Sequence, residues 1–585
     1  MGDAKQLNPF GAIPRVTWAE KVEKDLKGRD PASLERKDPE GLRSQVLYTV
    51  EDAPATAPEP GVFPFVRGAA AGAAVGQLAP CLYPGSKLAA EAAELHAYGA
   101  SSFFIDTRGR GEAPESWTWP EGLSNYFAIW SALEGPGAPL PASPGRRDLI
   151  AALDVDVAQA TPEALAGCVS GLDAGTPRFL IDGVPAHEAG AGPVESIAQA
   201  LAAGVQLARE LEAGGVAADE ALSHFVFNWA LETHFFDAVC KLRAARSLWA
   251  ELAAAMGVEG EAARMRIYAH SEGRSWTAVD PWVNLLRGTS ECFAAQVAGA
   301  DWISIAPFDL RHGNSELGRR MAVNTQVILR EESHALEVAD PAGGSYYLER
   351  RTEALRAAAW ERFVAIEKAG GYREARKSGA LAEAIAATAE ARTKALRTGR
   401  DALVGISRFA SESEGPIPAG EPARFEPAAT LLAPLRLAEG FEALRARAEQ
   451  RPVTMLLASR GPLKAYKPRA DFARDVLRGG GVRLETAADV ADPAASFDAS
   501  RHAGVIVAAT DEALAEPETL ALIETLRTAG VSALWVVTRP GAVPAVEAKA
   551  EGCVHMRADA LALLEQMHAA APAAGTEANA KGGAQ

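Results

Sequence analysis

Short apolar runs alternate with longer amphipathic stretches over most of the chain. SSFFIDTRG (101–109), RRDLIAALDV (146–155), RFLIDGVP (178–185), MRIYAHSEG (265–273) and DWISIAPFD (301–309) have the length and bounding turns of strands. Between them, VESIAQALAAGVQLARELEAGG, HFFDAVCKLRAARSLWAELAAAMG and DPWVNLLRGTSECFAAQVAGA repeat apolar residues at helical spacing. Repeated βα units predict an α/β chain with a parallel sheet, best fitted by a (β/α)8 TIM barrel over 62–400. An open doubly wound sheet is the alternative, which periodicity alone does not separate.

A smaller unit follows at 451–570, with strands VTMLLAS, VRLETA, GVIVAAT and SALWVVT. Residues 1–61 form an arm and linker, in which Trp18, Val22 and Leu26 share a helix face. A Pro- and Glu-rich stretch places a linker with a helix at 401–450, and composition predicts a disordered tail at 571–585.

Composition narrows the function classes. A net charge of −17 over 585 residues repels phosphate backbones, which argues against nucleic-acid binding. Five scattered cysteines without a CxxC pair fit reduced thiols and argue against a zinc site, so no metal is expected. No secretory signal or membrane-spanning run is legible, so the expectation is a cytoplasmic protein with no membrane partner.

Candidate chemistry is sparse. DPAGG (340–344) is turn chemistry, with Gly343 and Gly344 suited to positive φ, Tyr346 and Tyr347 beginning the next element, and Glu353 opening a helix. That turn is a candidate loop at a barrel mouth. His270, Ser271, Asp280 and Arg287 are close in sequence, which does not make a triad; Asp280 before Pro281 reads as a helix N-cap. In the run 227–252, Phe235, Val239, Leu242 and Leu248 mark a core face, with Arg243 and Arg246 on the polar side. His187 and His312 are lone loop histidines, read as solvated or structurally bonded. No HExxH, GxSxG, P-loop or GxGxxG with a spaced acid occurs, so the residues alone support no named reaction.

At DPWVNLLRGT, ISIAPFDL, KLRAARSLWAEL and above all RRMAVNTQVILREESHALEVADPAGGSYYLE (319–349), the chain resembles the methylmalonyl-CoA mutase family. The resemblance implies an N-terminal arm, a (β/α)8 barrel threaded by acyl-CoA, a linker and a flavodoxin-like cobalamin-binding-type domain. It also locates departures. Catalytic members carry a Tyr-His pair in a G-Y-H-M-x-E-A-G-A run; the matching run here is GVPAHEAGA, with Val184 and Pro185 at those positions. Neither side chain donates a hydrogen bond. His187, two residues on, would stand about 6–7 Å away along a strand end. A further catalytic Tyr expected after FVRG is absent before Tyr83.

Catalytic members hold cobalt through the His of a D-x-H-x-x-G loop after the first strand of the final domain. The matching 459–472 loop, SRGPLKAYKPRADF, contains no His, and TRPGAVP places Arg539 and Pro540 where paired glycine is expected. The resemblance is therefore to the family's non-catalytic branch, the small subunits of heterodimeric methylmalonyl-CoA mutases. It implies no catalytic residue and no cofactor on this chain, a catalytic large subunit as partner carrying adenosylcobalamin, and Arg67 and Gln326 as residual acyl-CoA positions. The rival readings are a mutase barrel that borrows cobalamin from a separate subunit, and a non-enzymatic CoA-binding or assembly module.

Overall fold

The computed structural model describes residues 13–54, 58–72, 76–82, 87–106, 126–130, 148–151, 161–411, 432–490 and 492–572. Most of the expected linker after Ser411, most of the tail and Tyr83 lie outside them.

The arm starts with α1 (Arg15–Asp25), whose Trp18 and Val22 face is half-buried, and continues through an antiparallel ribbon, β1 (Arg36–Lys37) and β2 (Arg43–Ser44). The turn of this ribbon ties the arm to the body. Asp38 forms a 2.6 Å ion pair with Arg351, and the Glu40 carboxylate accepts the N–H groups of Val194 (2.8 Å) and Glu195 (2.9 Å).

The body is built on β3 (Gln77–Leu78), β4 (Cys81–Leu82), β5 (Phe103–Asp106), β6 (Tyr126–Trp130), β7 (Asp148–Ala151), β8 (Phe179–Asp182), β9 (Phe225–Ala230), β10 (Ile267–His270) and β11 (Trp302–Ser304). Their order is β3-β11-β10-β9-β8-β7-β6-β5-β4, and the pairings are parallel. Only Ala79 and Pro80 separate β3 from β4, so the sheet's two edges are successive pieces of one stretch and the sheet closes into a ring.

Helices cover its outside: α2 (Leu88–Ala97), α3 (Pro162–Val169), α5 (Pro193–Ala213), α6 (Ala218–Ser223), α7 (Phe235–Ala255), α8 (Val283–Val297) and α9 (Glu316–Glu331), while the short α4 (Val184–Glu188) sits at the mouth after β8. Successive strand residues point to opposite faces. Phe179, Ile181, Phe225, Phe227 and Ile267 pack outward under helices, whereas Phe104, Leu180, Val226 and Tyr268 form one cluster within the ring. Then α10 (Tyr346–Lys368), α11 (Gly371–Lys377) and α12 (Ala380–Arg397) follow.

In the second unit, α13 (Glu439–Gln450) precedes β12 (Thr454–Ser459), α14 (Leu463–Gly479), β13 (Arg483–Thr486), β14 (His502–Ala508), β15 (Leu534–Val536) and β16 (Gly552–Cys553). The strands lie parallel in the order β13-β12-β14-β15-β16, with one apolar cluster on each face. Among the described residues no helix is long and apolar enough to cross a membrane.

Several local expectations are corrected. FVFNWA (225–230) is strand β9, buried at every residue, so it shows no alternation to read. Asp280 is not an N-cap: it takes φ +49°, and α8 begins at Val283. Glu353 lies inside α10 rather than opening it, and of the DPAGG glycines Gly344 alone takes positive φ. Arg243 and Arg246 are not on a polar face. Both are 1% exposed, Arg243 pairing with Asp340 and Glu349, Arg246 donating to the carbonyls of Ala298 and Gly299.

Candidate functional site

The C-terminal ends of the ring strands open on a cavity of about 330 Å3. This is the end where the loops of a parallel ring collect functional groups. Leu82, Asp106, Asn228, His270, Ser304 and the Val184–Pro185 pair line it, and Leu432, Pro434 and Arg436 from the chain between the two units cross it. That crossing segment is held by main-chain bonds, Leu435 N–H to Glu188 O (2.7 Å) and Leu437 N–H to Arg274 O (3.0 Å).

Below the cavity the bore is filled. Phe104 and Tyr268 stack with centroids 3.7 Å apart, and Phe127 and Trp302 each meet Phe104 edge-on or tilted at 5.3 and 5.9 Å. Phe104 is 0% and Tyr268 1% exposed. Polar wall groups serve the fold: the Ser304 hydroxyl accepts Cys81 N–H, the Ser271 hydroxyl accepts Ala306 N–H, and Asn228 donates to Asp182.

Val184 and Pro185 open the short helix α4 rather than extending a strand, so the expected strand-end spacing to His187 does not apply. The helical turn carries His187 behind the wall, where it is 0% exposed and not solvated. Its Nε2 lies 2.8 Å from Glu272 and its Nδ1 3.3 Å from Glu232. Arg274 joins the same carboxylates at 3.1 and 3.4 Å, and Lys241 approaches Glu232 at 3.6 Å.

Burial by itself would raise the Glu272 carboxyl, but Arg274 and His187 outweigh it and hold it at about 2. Glu232 likewise stays well below the usual carboxylate range despite burial, through His187, Arg274 and Lys241. Burial and the neighbouring Glu272 charge push Glu291 well upward, and it accepts the Trp276 indole N–H at 3.1 Å. Glu232 and Glu272, each held low by the cationic groups around it, form an internal ion network with Arg274, His187 and Lys241, and Glu291 stands beside it. Sequence reasoning missed it. The available signal was a charged residue two positions past each of two strands, Glu232 after β9 and Glu272 after β10, but the buried β9 has no pattern to mark it.

Arg67 and Gln326 do not line the cavity. The Arg67 guanidinium pairs with Asp340 of the DPAGG turn at 2.7 Å, and neither is among the residues at the mouth, which α9 lines through Arg319, Ala322 and Val323 of its N-terminal half. Gln326 is 1% exposed between α8 and α9, its carbonyl accepting the Gln296 side chain at 3.1 Å. His312 bonds the Ala278 carbonyl at 2.6 Å.

In the second unit the 459–472 segment is mostly not a loop: β12 ends at Ser459 and α14 starts at Leu463. A ligand crevice would fall at the carboxyl ends of β12 and β14, where the chain reverses direction across the sheet. There Arg469 of α14 reaches Asp511 (2.7 Å) and the Val537 carbonyl (2.8 Å), and Asp511 also accepts the Thr538 hydroxyl at 2.7 Å. His502 stands at the opposite end of β14, its Nδ1 accepting the Asp498 N–H at 3.0 Å. These residues do not fit cobalamin held through a histidine. Among the described residues no cluster of three His, Cys, Asp or Glu side chains suits a metal ion, and the five cysteines form no disulfide.

Fold and site together define an α/β chain of two parallel-sheet units, a plugged ring and a side-chain-sealed companion. The sequence model described as methylmalonyl-CoA mutase matches residues 176–454. A "Probable methylmalonyl-CoA mutase small subunit" of Mycobacterium tuberculosis is 32% identical over 560 residues, covering 86% of this chain and 87% of that protein. The "Methylmalonyl-CoA mutase small subunit" of Streptomyces virginiae is 36% identical over 376 residues, 62% of this chain and 60% of its own length. The mitochondrial methylmalonyl-CoA mutase of Bos taurus is 32% identical over 244 residues, 41% of this chain and 32% of its own. The chain belongs to the methylmalonyl-CoA mutase family, a family of isomerases.

Proposed function

We propose that this chain is the non-catalytic small subunit of a heterodimeric, adenosylcobalamin-dependent methylmalonyl-CoA mutase, and that it stabilises the catalytic large subunit. The holoenzyme interconverts methylmalonyl-CoA and succinyl-CoA, a step of propionate metabolism; this chain contributes no reacting group. The ring is the family's (β/α)8 barrel, and the second unit a flavodoxin-like domain without its cofactor.

The observation that carries this reading is the Phe104–Tyr268 stack within the bore. A thioester arm threaded along the barrel axis needs that space open, and buried rings in van der Waals contact leave none. The wall above adds Val184 and Pro185, which offer no side-chain donor to polarise a carbonyl. The Arg469–Asp511 latch occupies the crevice where a nucleotide tail would enter. Adenosylcobalamin accordingly belongs to the partner, across an obligate interface of roughly 2,000–5,000 Å2.

The test is expression of the large subunit with and without this chain. The reading expects large subunit alone to be poorly soluble or strongly reduced in activity, and restored by co-expression. A large subunit fully folded and active alone overturns it. Turnover by this chain supplied with adenosylcobalamin and a cobalamin-binding protein would favour the rival in which it is itself a mutase barrel.

A further inference from the structure

On the flank of the mouth, a second cavity of about 310 Å3 lies between the starts of α7 and α8, the C-terminal half of α12 and residues 401–404. Its volume is at the lower end of the range for small-molecule sites. Three guanidinium groups line it, Arg274, Arg287 and Arg392, together with His234 and the hydroxyls of Thr233, Ser275 and Ser290.

The charges in this cavity do not cancel. Of the two lining carboxylates, Glu232 is already paired with Arg274 at 3.1 Å, and Asp401 stands 3.7 Å from His234. Among the described residues the Arg287 guanidinium donates only to neutral acceptors: the Thr277 hydroxyl (3.2 Å), the Asn284 amide oxygen (2.7 Å) and the Val404 carbonyl (2.7 Å). Arg392 has no hydrogen bond or ion pair among the described residues, and its Nε is shut off from solvent without an acceptor. A guanidinium stays charged at neutral pH even with its affinity for a proton reduced by burial. Among the described residues, two cations with no carboxylate within ion-pair distance therefore border one cavity, the charges of Asp401 and Glu232 acting on Arg392 and that of Glu291 on Arg287 from farther off, beside three hydroxyls that can both donate and accept.

Arg287 is buried and Arg392 half-buried; a desolvated charge without an ion-pair partner is destabilising, and an oxyanion accepting from a planar guanidinium fork is its natural complement. We propose that this cavity binds a small oxyanion, a carboxylate or phosphate group, with Arg392 as its main ligand and Arg287 contributing positive charge from the facing wall. The site lies outside the bore and outside the crevice of the second unit, and so is independent of the role proposed above.

The experiment uses the full chain, titrated separately with inorganic phosphate and with malonate at constant ionic strength, chloride making up the balance. Isothermal titration and thermal unfolding are read together, because a ligand that binds only the folded state raises Tm in a saturable way. The expected result is a saturable rise with at least one probe, phosphate and malonate arms showing which oxyanion the cavity prefers. Arg392→Met is expected to weaken that binding at least tenfold, while its own Tm in chloride equals or exceeds the parent's. Should this variant fail to fold, Arg392→Lys carries the test, with binding expected several-fold weaker. The proposal is overturned if neither probe shifts the parent, or if the variants bind as tightly as the parent.

Discussion

The rings of Phe104 and Tyr268 lie 3.7 Å apart and 6° from parallel, on strands β5 and β10 that do not neighbour each other in the sheet. The contact ties separated parts of the ring together through its centre, which makes the bore a packed core. Truncating Phe104 to Ala would leave a cavity lined by Tyr268, Phe127 and Trp302. We expect a loss of about 3–5 kcal/mol, measured by urea unfolding of the purified chain. A loss below about 1 kcal/mol would mean that the ring stands without its plug.

The same plug decides the outcome of restoring the missing pair. Val184→Tyr with Pro185→His places the family's donors on the cavity wall, yet leaves the bore filled and the second unit without a cobalt-coordinating imidazole. No isomerase turnover is expected from this double variant with added adenosylcobalamin and methylmalonyl-CoA. Measurable succinyl-CoA formation would contradict the argument from the bore.

Glu40 gives the arm a pH-dependent attachment. Burial raises its carboxyl from the ordinary 4.5 to about 7, against the lowering effect of the Glu195 and Val194 N–H bonds. The folded state thus binds a proton that the unfolded chain releases, so stability is highest below about pH 4.5 for this group and falls as pH rises to about 7. The total is at most about 3 kcal/mol. Glu40→Gln should flatten this component of the slope in denaturation curves taken across that window; an unchanged slope would show that Glu40 stays ionised throughout.

Arg243 is the hinge of a buried network, bonded to Asp340 and, at 2.9 Å, to both oxygens of Glu349, while Arg67 approaches Asp340 from the other side at 2.7 Å. Removing its charge leaves Glu349 without a cation among the described residues and Asp340 with Arg67 alone. Arg243→Met should destabilise by about 3–5 kcal/mol. Arg67, about a quarter exposed, should cost far less on the same substitution. A double-mutant cycle with Asp340→Asn checks that the loss comes from this network, and additive losses would reject it.

Much of the architecture was legible because local patterning carries it. MRIYAHSEG, DWISIAPFD and four of the five strands of the second unit announced themselves by length and bounding turns, and each of these runs holds a strand; the two-residue β16 carries no such signal. FVFNWA did not, because a strand covered on both faces has no polar alternation. The Arg243 and Arg246 error has a related origin. On α7, helical spacing identifies faces, but a helix between the ring and α10 buries more than one of them, and arginine can be buried when carboxylates or carbonyls meet it.

By itself the sequence determined the βα order, the donor-less Val184–Pro185 pair and the absence of histidine from 459–472, since these depend on which residues exist and how they are spaced. Tertiary structure decided that Phe104 and Tyr268 fill the bore, that His187 turns into an ion network, and that Arg469 closes the crevice over Asp511. Ring closure and long-range approach choose which face of each strand is inside and which distant charge answers another. A one-dimensional period names two faces of a strand without saying which of them will meet its counterpart across the sheet.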